Sequence, residues 1–212
     1  MLVVGFDTAT PAVSVALHDG TRIVGSAFTV DARRQGELLA PMIAEVMAEA
    51  GADRADLTAV AVGVGPGPYT GLRVGLVTAR VLGAALGIPV HGVCTLDLIA
   101  AQAPRGRDFL VATDARRKEV YWARYDPYGR RVEGPLVGAA AEIPGARDLP
   151  AAGAGGELYP AAFGELLAPA YPDSRTLCEI VAGGGATIPP EPLYLRRPDA
   201  REPAAPKRVT PP

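Results

Sequence analysis

Asp7 and Asp114 each close an apolar run that reads as a strand. Two carboxylates brought together from strand ends across a cleft would make an acid pair or a magnesium site, although an aspartate at a strand end first of all caps a turn. The stretch Gly65-Pro-Gly-Pro-Tyr-Thr-Gly-Leu-Arg-Val-Gly-Leu76 has the look of a phosphate loop. A phosphate cradle needs consecutive free backbone N–H groups at a helix start, and Pro66 and Pro68 each remove one donor while fixing φ. The stretch also lacks the Gly-Lys-Ser/Thr ending that would set a lysine against a β- or γ-phosphate. It reads first as a strand-to-helix corner, with Gly65 and Gly67 as the positions where a backbone could approach a phosphate. His18 and His91 are the only histidines and do not share a helix face, so a protein zinc site is not expected. Cys94 and Cys178 are too few for a disulfide framework, no Gly-x-Ser-x-Gly elbow occurs, and Cys94 reads as a buried thiol.

The elements that must position these groups follow from periodicity. Leu2–Phe6, Ala12–Leu17 and Thr21–Phe28 read as a three-stranded antiparallel meander with Asp19-Gly20 as a hairpin turn. A helix over Glu37–Ala50 follows, then a strand over Thr58–Val64, the proline-glycine corner, a helix over Leu72–Leu86 and a strand at Pro89–Val93. The order β-β-β-α-β-α-β is that of the ribonuclease-H-like core shared by actin, sugar kinases and the Hsp70 ATPase. In that superfamily the turn after the first strand lies near phosphate, which marks Asp7 and Thr8. The expected fold class is therefore α/β, actin-like, in two lobes. Residues 1–100 form the first lobe and 101–200 a smaller second lobe, and 201–212 form a proline-rich flexible tail. In the second lobe Asp108–Thr113 and Glu119–Tyr125 predict a hairpin around the charged turn Asp114–Lys118. Loops and short elements are expected over 135–156 and a helix over Tyr159–Leu167, and no internal repeat is visible.

Both N-terminal helices carry more apolar surface than one sheet face needs. In Leu72–Leu86 the polar side chains are Arg73, Thr78 and Arg80, with apolar residues around the whole circumference, so burial on more than one side is expected. In Glu37–Ala50 the apolar arc takes about half the wheel. A core covering both helices and a patch awaiting another protein are the two readings, the core coming first.

The 212-residue chain is 49% hydrophobic, enough for one large domain or two small lobes. Its net charge of −2 leaves no general attraction for nucleic acid, so contact with RNA would need a local basic patch or a partner's surface. Without a basic leader or a long apolar span the chain reads as cytoplasmic and not membrane-bound.

Asp7-Thr-Ala-Thr, the Gly65–Leu76 block, Pro89-Val-His-Gly-Val, Asp114-Ala-Arg-Arg-Lys-Glu-Val-Tyr121 and Tyr194-Leu-Arg196 together resemble the TsaB (YeaZ) family over most of the chain. The resemblance implies a non-catalytic subunit needed to form N6-threonylcarbamoyladenosine in tRNA next to the anticodon. It implies a heterodimer with the related transferase TsaD, which the chain would activate in a complex with the ATPase TsaE, and tRNA contact through that complex. It implies no catalytic residue, no cofactor beyond residual nucleotide at the partner interface, and a degenerate nucleotide site. The metal-binding His-x-x-x-His pair of TsaD falls here at Thr95 and Ile99, and Ile99 has no donor atom. Leu38, Met42, Val46, Leu72, Leu76 and Val77 become the interface residues, toward TsaD or, in the isolated protein, toward a second copy. The family's Arg-His-Ser-Glu before the first helix reads Arg34-Gln-Gly-Glu37 here. The alternative is an autonomous ATP- and magnesium-dependent enzyme built on Asp7, Asp114 and the Gly65 loop.

Overall fold

The computed structural model describes residues 1–196; the expected tail over 201–212 lies outside them. β1 (Val3–Asp7), β2 (Ala12–His18) and β3 (Ile23–Val30) form the predicted meander, with Val3 opposite His18 and Asp7 opposite Ser14. α1 (Gln35–Glu49), β4 (Ala59–Gly63), α2 (Tyr69–Leu86) and β5 (Val90–Val93) complete the first sheet, ordered β3-β2-β1-β4-β5 with β1, β4 and β5 parallel. α3 (Thr95–Gln102) then leads into β6 (Phe109–Asp114), β7 (Val120–Tyr125), β8 (Arg131–Gly138), β9 (Pro150–Ala152), α4 (Ala154–Leu158) and β10 (Glu165–Leu167), and α5 (Ser174–Ala182) follows.

The second sheet has the order β8-β7-β6-β9-β10, with β6–β7 and β7–β8 antiparallel and β6–β9 and β9–β10 parallel. It thus repeats the topology of the first, strand for strand, although the sequence shows no repeat. The chain is an α/β protein of two lobes with the actin-like arrangement.

Alternation along β1 divides the first lobe's core. Val4 and Phe6 face α1 and α2 in a cluster with Leu39, Val46, Leu72 and Leu76. Val3 faces the other way, with Leu98 of α3 and Leu177 and Cys178 of α5. Helix α5 has no counterpart among the sequence expectations, yet Asp173 caps it through the Arg175 N–H, and Ser174 donates twice to Ser14, its N–H to the Ser14 hydroxyl oxygen at 2.8 Å and its hydroxyl to the Ser14 carbonyl at 2.9 Å. A late segment therefore finishes the first lobe. α3, equally unexpected, lies between the lobes, with Leu98 in the first and Leu96, Ile99 and Ala100 packed with Phe109, Val111 and Tyr125 of the second.

One local expectation changes, and the short elements expected over 135–156 are present. The helix expected over Tyr159–Leu167 is a single 3-10 turn at Pro160–Ala162 followed by β10; Gly164, a weak helix former, stands between them and donates its N–H to the Leu149 carbonyl at 3.0 Å. The 135–156 stretch holds the end of β8, single 3-10 turns, β9 and α4.

α2 is buried on one side only. Gly71, Gly75, Ala79 and Gly83 recur at i, i+4, i+8 and i+12 on the sheet-facing side, where a β-carbon on Gly75 would stand 2.7 Å from Thr8 Oγ1. The opposite stripe carries Arg73, Val77, Arg80, Val81 and Ala84, with Val77 58% and Val81 60% exposed. In place of the expected burial on more than one side, α2 has a face carrying Val77 and Val81 that no described residue covers. Leu72→Ala is expected to lower stability by about 2–5 kcal/mol, and Val77→Ala to stay within about 0.5 kcal/mol. Urea unfolding midpoints measure both, and equal shifts would contradict this orientation of α2.

Candidate functional site

Phosphate is expected beside the end of the first strand, so the fate of Asp7 decides what the site can do. Asp7 has no exposed surface. Its Oδ1 accepts the Ala9 N–H at 2.8 Å, and its Oδ2 accepts the Thr95 hydroxyl at 2.6 Å. Gly63 on β4 makes room for that carboxylate, because a β-carbon there would overlap it. The Thr95 hydroxyl also accepts the Gly65 N–H at 3.1 Å, while the Thr95 N–H donates to the Gly65 carbonyl at 2.8 Å. One threonine at the start of α3 thereby ties the end of β1 to the β4–α2 corner. Burial pushes the Asp7 carboxyl up to about 6, with the bonds from Thr95 and Ala9 opposing the rise.

The neighbouring residues are committed in the same way. The Thr8 hydroxyl donates to the Gly71 carbonyl at 2.7 Å and accepts the Gly75 N–H at 3.0 Å, pinning α2 to the β1–β2 turn. Gly65 and Gly67 are both buried, and a side chain on Gly67 would overlap the Ala9 carbonyl. Of the residues expected to meet a nucleotide, Asp7, Gly65 and Gly67 are sealed in the packing, and Thr8 reaches the cleft wall with its hydroxyl already paired at both ends.

That cleft, about 230 Å³, opens between the β1–β2 turn, the start of α1, the start of α2 and the β6–β7 turn. Asp114 lines it and Asp7 does not, so the expected acid pair does not assemble. Asp114 caps its own turn, accepting the Arg116 N–H at 2.7 Å and pairing with the Arg116 side chain at 3.3 Å. A metal does not fit the positions the family resemblance marks. Thr95 is committed to Asp7, Ile99 is fully buried among apolar side chains, and no group of three or more His, Cys, Asp or Glu side chains gathers among the described residues. Nor do the thiols offer a nucleophile, since burial pushes Cys94 up to about 11 and Cys178 up to about 12. Asp7 and Thr8 are thus hydrogen-bonded within the chain, and Gly65 and Gly67 are packed against it.

The six expected interface residues separate. Met42, Val46, Leu72 and Leu76 lie in this chain's own core, Leu38 is half-buried against it, and Val77 is exposed. The four core residues are corrected as contact residues, because a partner cannot touch side chains already covered by β1, β2 and β4. Pro41 stands in the middle of α1 on its exposed side, and having no N–H it leaves the Glu37 carbonyl without its intrahelical donor. Beside the start of α2, the Arg73 guanidinium lies 3.6 Å over the Tyr69 ring and donates to the Tyr194 hydroxyl at 2.8 Å, and the two tyrosine rings stack at 5.7 Å. Tyr194 belongs to a C-terminal strap that bridges to Gly92 through Ile188 and inserts Leu193 into the cores of both lobes.

Comparisons with known proteins agree with this architecture. The family model described as TsaD, tRNA N6-adenosine threonylcarbamoyltransferase, matches residues 27–149. A Mycobacterium tuberculosis (strain H37Rv) protein is 47% identical over 203 residues, covering 94% of this chain and 93% of its own length. The Escherichia coli (strain K12) tRNA threonylcarbamoyladenosine biosynthesis protein TsaB is 40% identical over 129 residues, which are 59% of this chain and 55% of that protein. The solved structure of YeaZ from Pseudomonas aeruginosa superposes with a TM-score of 0.77 at 29% identity, over 92% of this chain and 99% of that one.

Burial of Asp7 makes stability depend on pH. With a folded-state value above the unfolded one, the folded protein holds the extra proton between about pH 4 and 6, so this group lowers stability as pH rises through that window. Asp7→Asn removes the linkage. The stability difference between Asp7→Asn and wild type should move in favour of the variant by on the order of 3 kcal/mol from pH 4 to pH 7. Urea titrations at both pH values measure it, and a difference that does not change with pH would mean that Asp7 is not held in this way.

Proposed function

This chain belongs to the TsaD family and, within it, to the TsaB (YeaZ) branch, and we propose that it is a non-catalytic subunit in the formation of N6-threonylcarbamoyladenosine in tRNA. It pairs with a TsaD protein, activates it in an assembly that includes TsaE, and leaves the threonylcarbamoyl transfer at the adenosine next to the anticodon to that partner. The observation that carries this reading is the closed first-strand site. The carboxylate, hydroxyl and glycine corner that would serve nucleotide chemistry are hydrogen-bonded or packed within the chain.

The pairing surface on this reading is the outward stripe of α2, with Val77 and Val81 as apolar anchors and Arg73 and Arg80 along its length. The Tyr69–Arg73–Tyr194 stack extends the stripe at its N-terminal end with the residue types that dominate binding energy in protein interfaces. Small exposed side chains on α1, Ala40, Ala44 and Ala48, permit close approach of a partner helix beside it. A second copy of this chain meets the same stripe when the partner is absent. No helix among the described residues is long and apolar enough to cross a membrane.

The test is threonylcarbamoyladenosine formed on unmodified tRNA by TsaC, TsaD and TsaE with ATP, threonine and bicarbonate. Modified nucleoside is expected only when this chain is added, and equal yield without it would end the reading. A Val77→Asp/Val81→Asp variant should stay folded by circular dichroism and lose affinity for TsaD by a factor on the order of ten or more. Full-strength pairing by that variant would remove the α2 stripe as the interface.

A further inference from the structure

The β6–β7 turn holds three consecutive cationic residues in the left-handed region, Arg116 at φ 61°, Arg117 at φ 56° and Lys118 at φ 64°. Side chains with a β-carbon rarely take that conformation singly, and a run of three in a chain otherwise free of such residues among those described marks a turn shaped for what it displays. All three side chains are exposed. The turn is closed by the Ala115 N–H on the Glu119 carbonyl and the Glu119 N–H on the Arg116 carbonyl, each at 3.0 Å. Arg196, at the end of the strap, braces it from outside by donating to the Ala115 carbonyl at 2.8 Å and pairing with Glu119.

Across the cleft stands another cation. Arg33, before α1, lines the same cavity as Arg116, with Thr10, Gln35 and Thr70 between them. The nearby carboxylates neutralise this rim only at Arg116. Asp114 is paired with Arg116, Asp31 with Arg34 at 2.7 Å, and Glu119 with Arg196. Arg33 and Lys118 are exposed and form no ion pair among the described residues.

We infer that this rim, with Arg33 on one side and the Arg116–Lys118 turn on the other, contacts the sugar-phosphate backbone of the tRNA held by the assembled complex. The inference rests on the proposed function and adds a direct contact by this subunit. A polynucleotide fits better than a small phosphate compound because the cations sit on two separated, exposed segments. The backbone amides that a compact phosphate would need, at Gly65 and Gly67, lie buried behind them. Since the whole chain carries a net charge of −2, attraction for a polyanion must come from such a local patch.

The test uses the full complex of this chain with TsaD and TsaE and measures binding of unmodified tRNA by fluorescence anisotropy across a salt series. Arg33→Ala/Lys118→Ala is expected to weaken binding by about tenfold and to reduce the slope of log K against log salt by roughly 1–2, about 0.9 for each phosphate that is no longer neutralised. Arg33→Lys/Lys118→Arg keeps the charges and should keep the slope. An unchanged slope in the alanine variant overturns the inference, and so does displacement of tRNA by inorganic tripolyphosphate as effective, per phosphate, as displacement by RNA, which would indicate a small-phosphate site. If modification remains dependent on this chain while the slope is unchanged, this inference alone falls. If the wild-type chain is dispensable for modification, the proposed function falls with it.

Discussion

Asp7 accepts a hydroxyl from Thr95 and an N–H from Ala9, and Thr95 in turn holds both backbone groups of Gly65. Three segments far apart in sequence, the end of β1, the corner before α2 and the start of α3, meet at this one side-chain contact. Both strand ends beside the cleft are thereby fixed relative to the helix that separates the lobes. A carboxylate without exposed surface is expensive to keep ionised, and the upward displacement of its titration shows that two strong hydrogen bonds offset only part of the desolvation. The fold tolerates the group because breaking the arrangement would leave the amide of Gly65 and the hydroxyl of Thr95 without partners in a region closed to water.

The same contact also keeps the first-strand carboxylate out of the cleft. In this chain the first-strand carboxylate points into the α3–α5 side of the sheet, while the cleft is lined by threonines, Gln35, Arg33 and the β6–β7 turn. The outward stripe of α2 arises separately, from the helix's own composition. The Gly71–Gly75–Ala79–Gly83 side lets it sit close on the sheet, which turns the branched side chains Val77 and Val81 outward.

Much of the first lobe is legible in the sequence because its signals are local. Asp19-Gly20 announces a hairpin, alternation in Ala12–Leu17 announces a strand, and the proline-glycine corner announces the start of α2. What is not legible depends on partners distant in the chain. α3 is eight residues long and is covered by both lobes, so it offers no single periodic face to read. α5 does carry a signal, Asp173 as its cap and Leu177 and Val181 four apart, which the glycine- and proline-rich surroundings conceal. Burial around α2 departs from the hydropathy pattern because glycine, neutral filler in such a pattern, forms the side that packs closest. The duplication of topology between lobes leaves no trace in sequence, since strand order depends on hydrogen-bond partners and tolerates wide substitution. Nor can spacing alone separate Thr95, the residue that closes the site, from an ordinary helix start.

Helix α5 and the strap after it have a consequence for how the protein is made. Val3 and Gly5 face Leu177 and Cys178, and Leu193 donates its N–H to the Val64 carbonyl. During synthesis from the N-terminus, the first sheet emerges from the ribosome with one of its faces bare and stays so until almost the whole described chain has been translated. The second lobe, whose strands are all encoded between residues 109 and 167, can close its own hairpins before that happens. The first sheet is thus completed last although its strands are translated first, and until then its bare face and the open edge of β3, carrying Phe28 and Val30, call for cover.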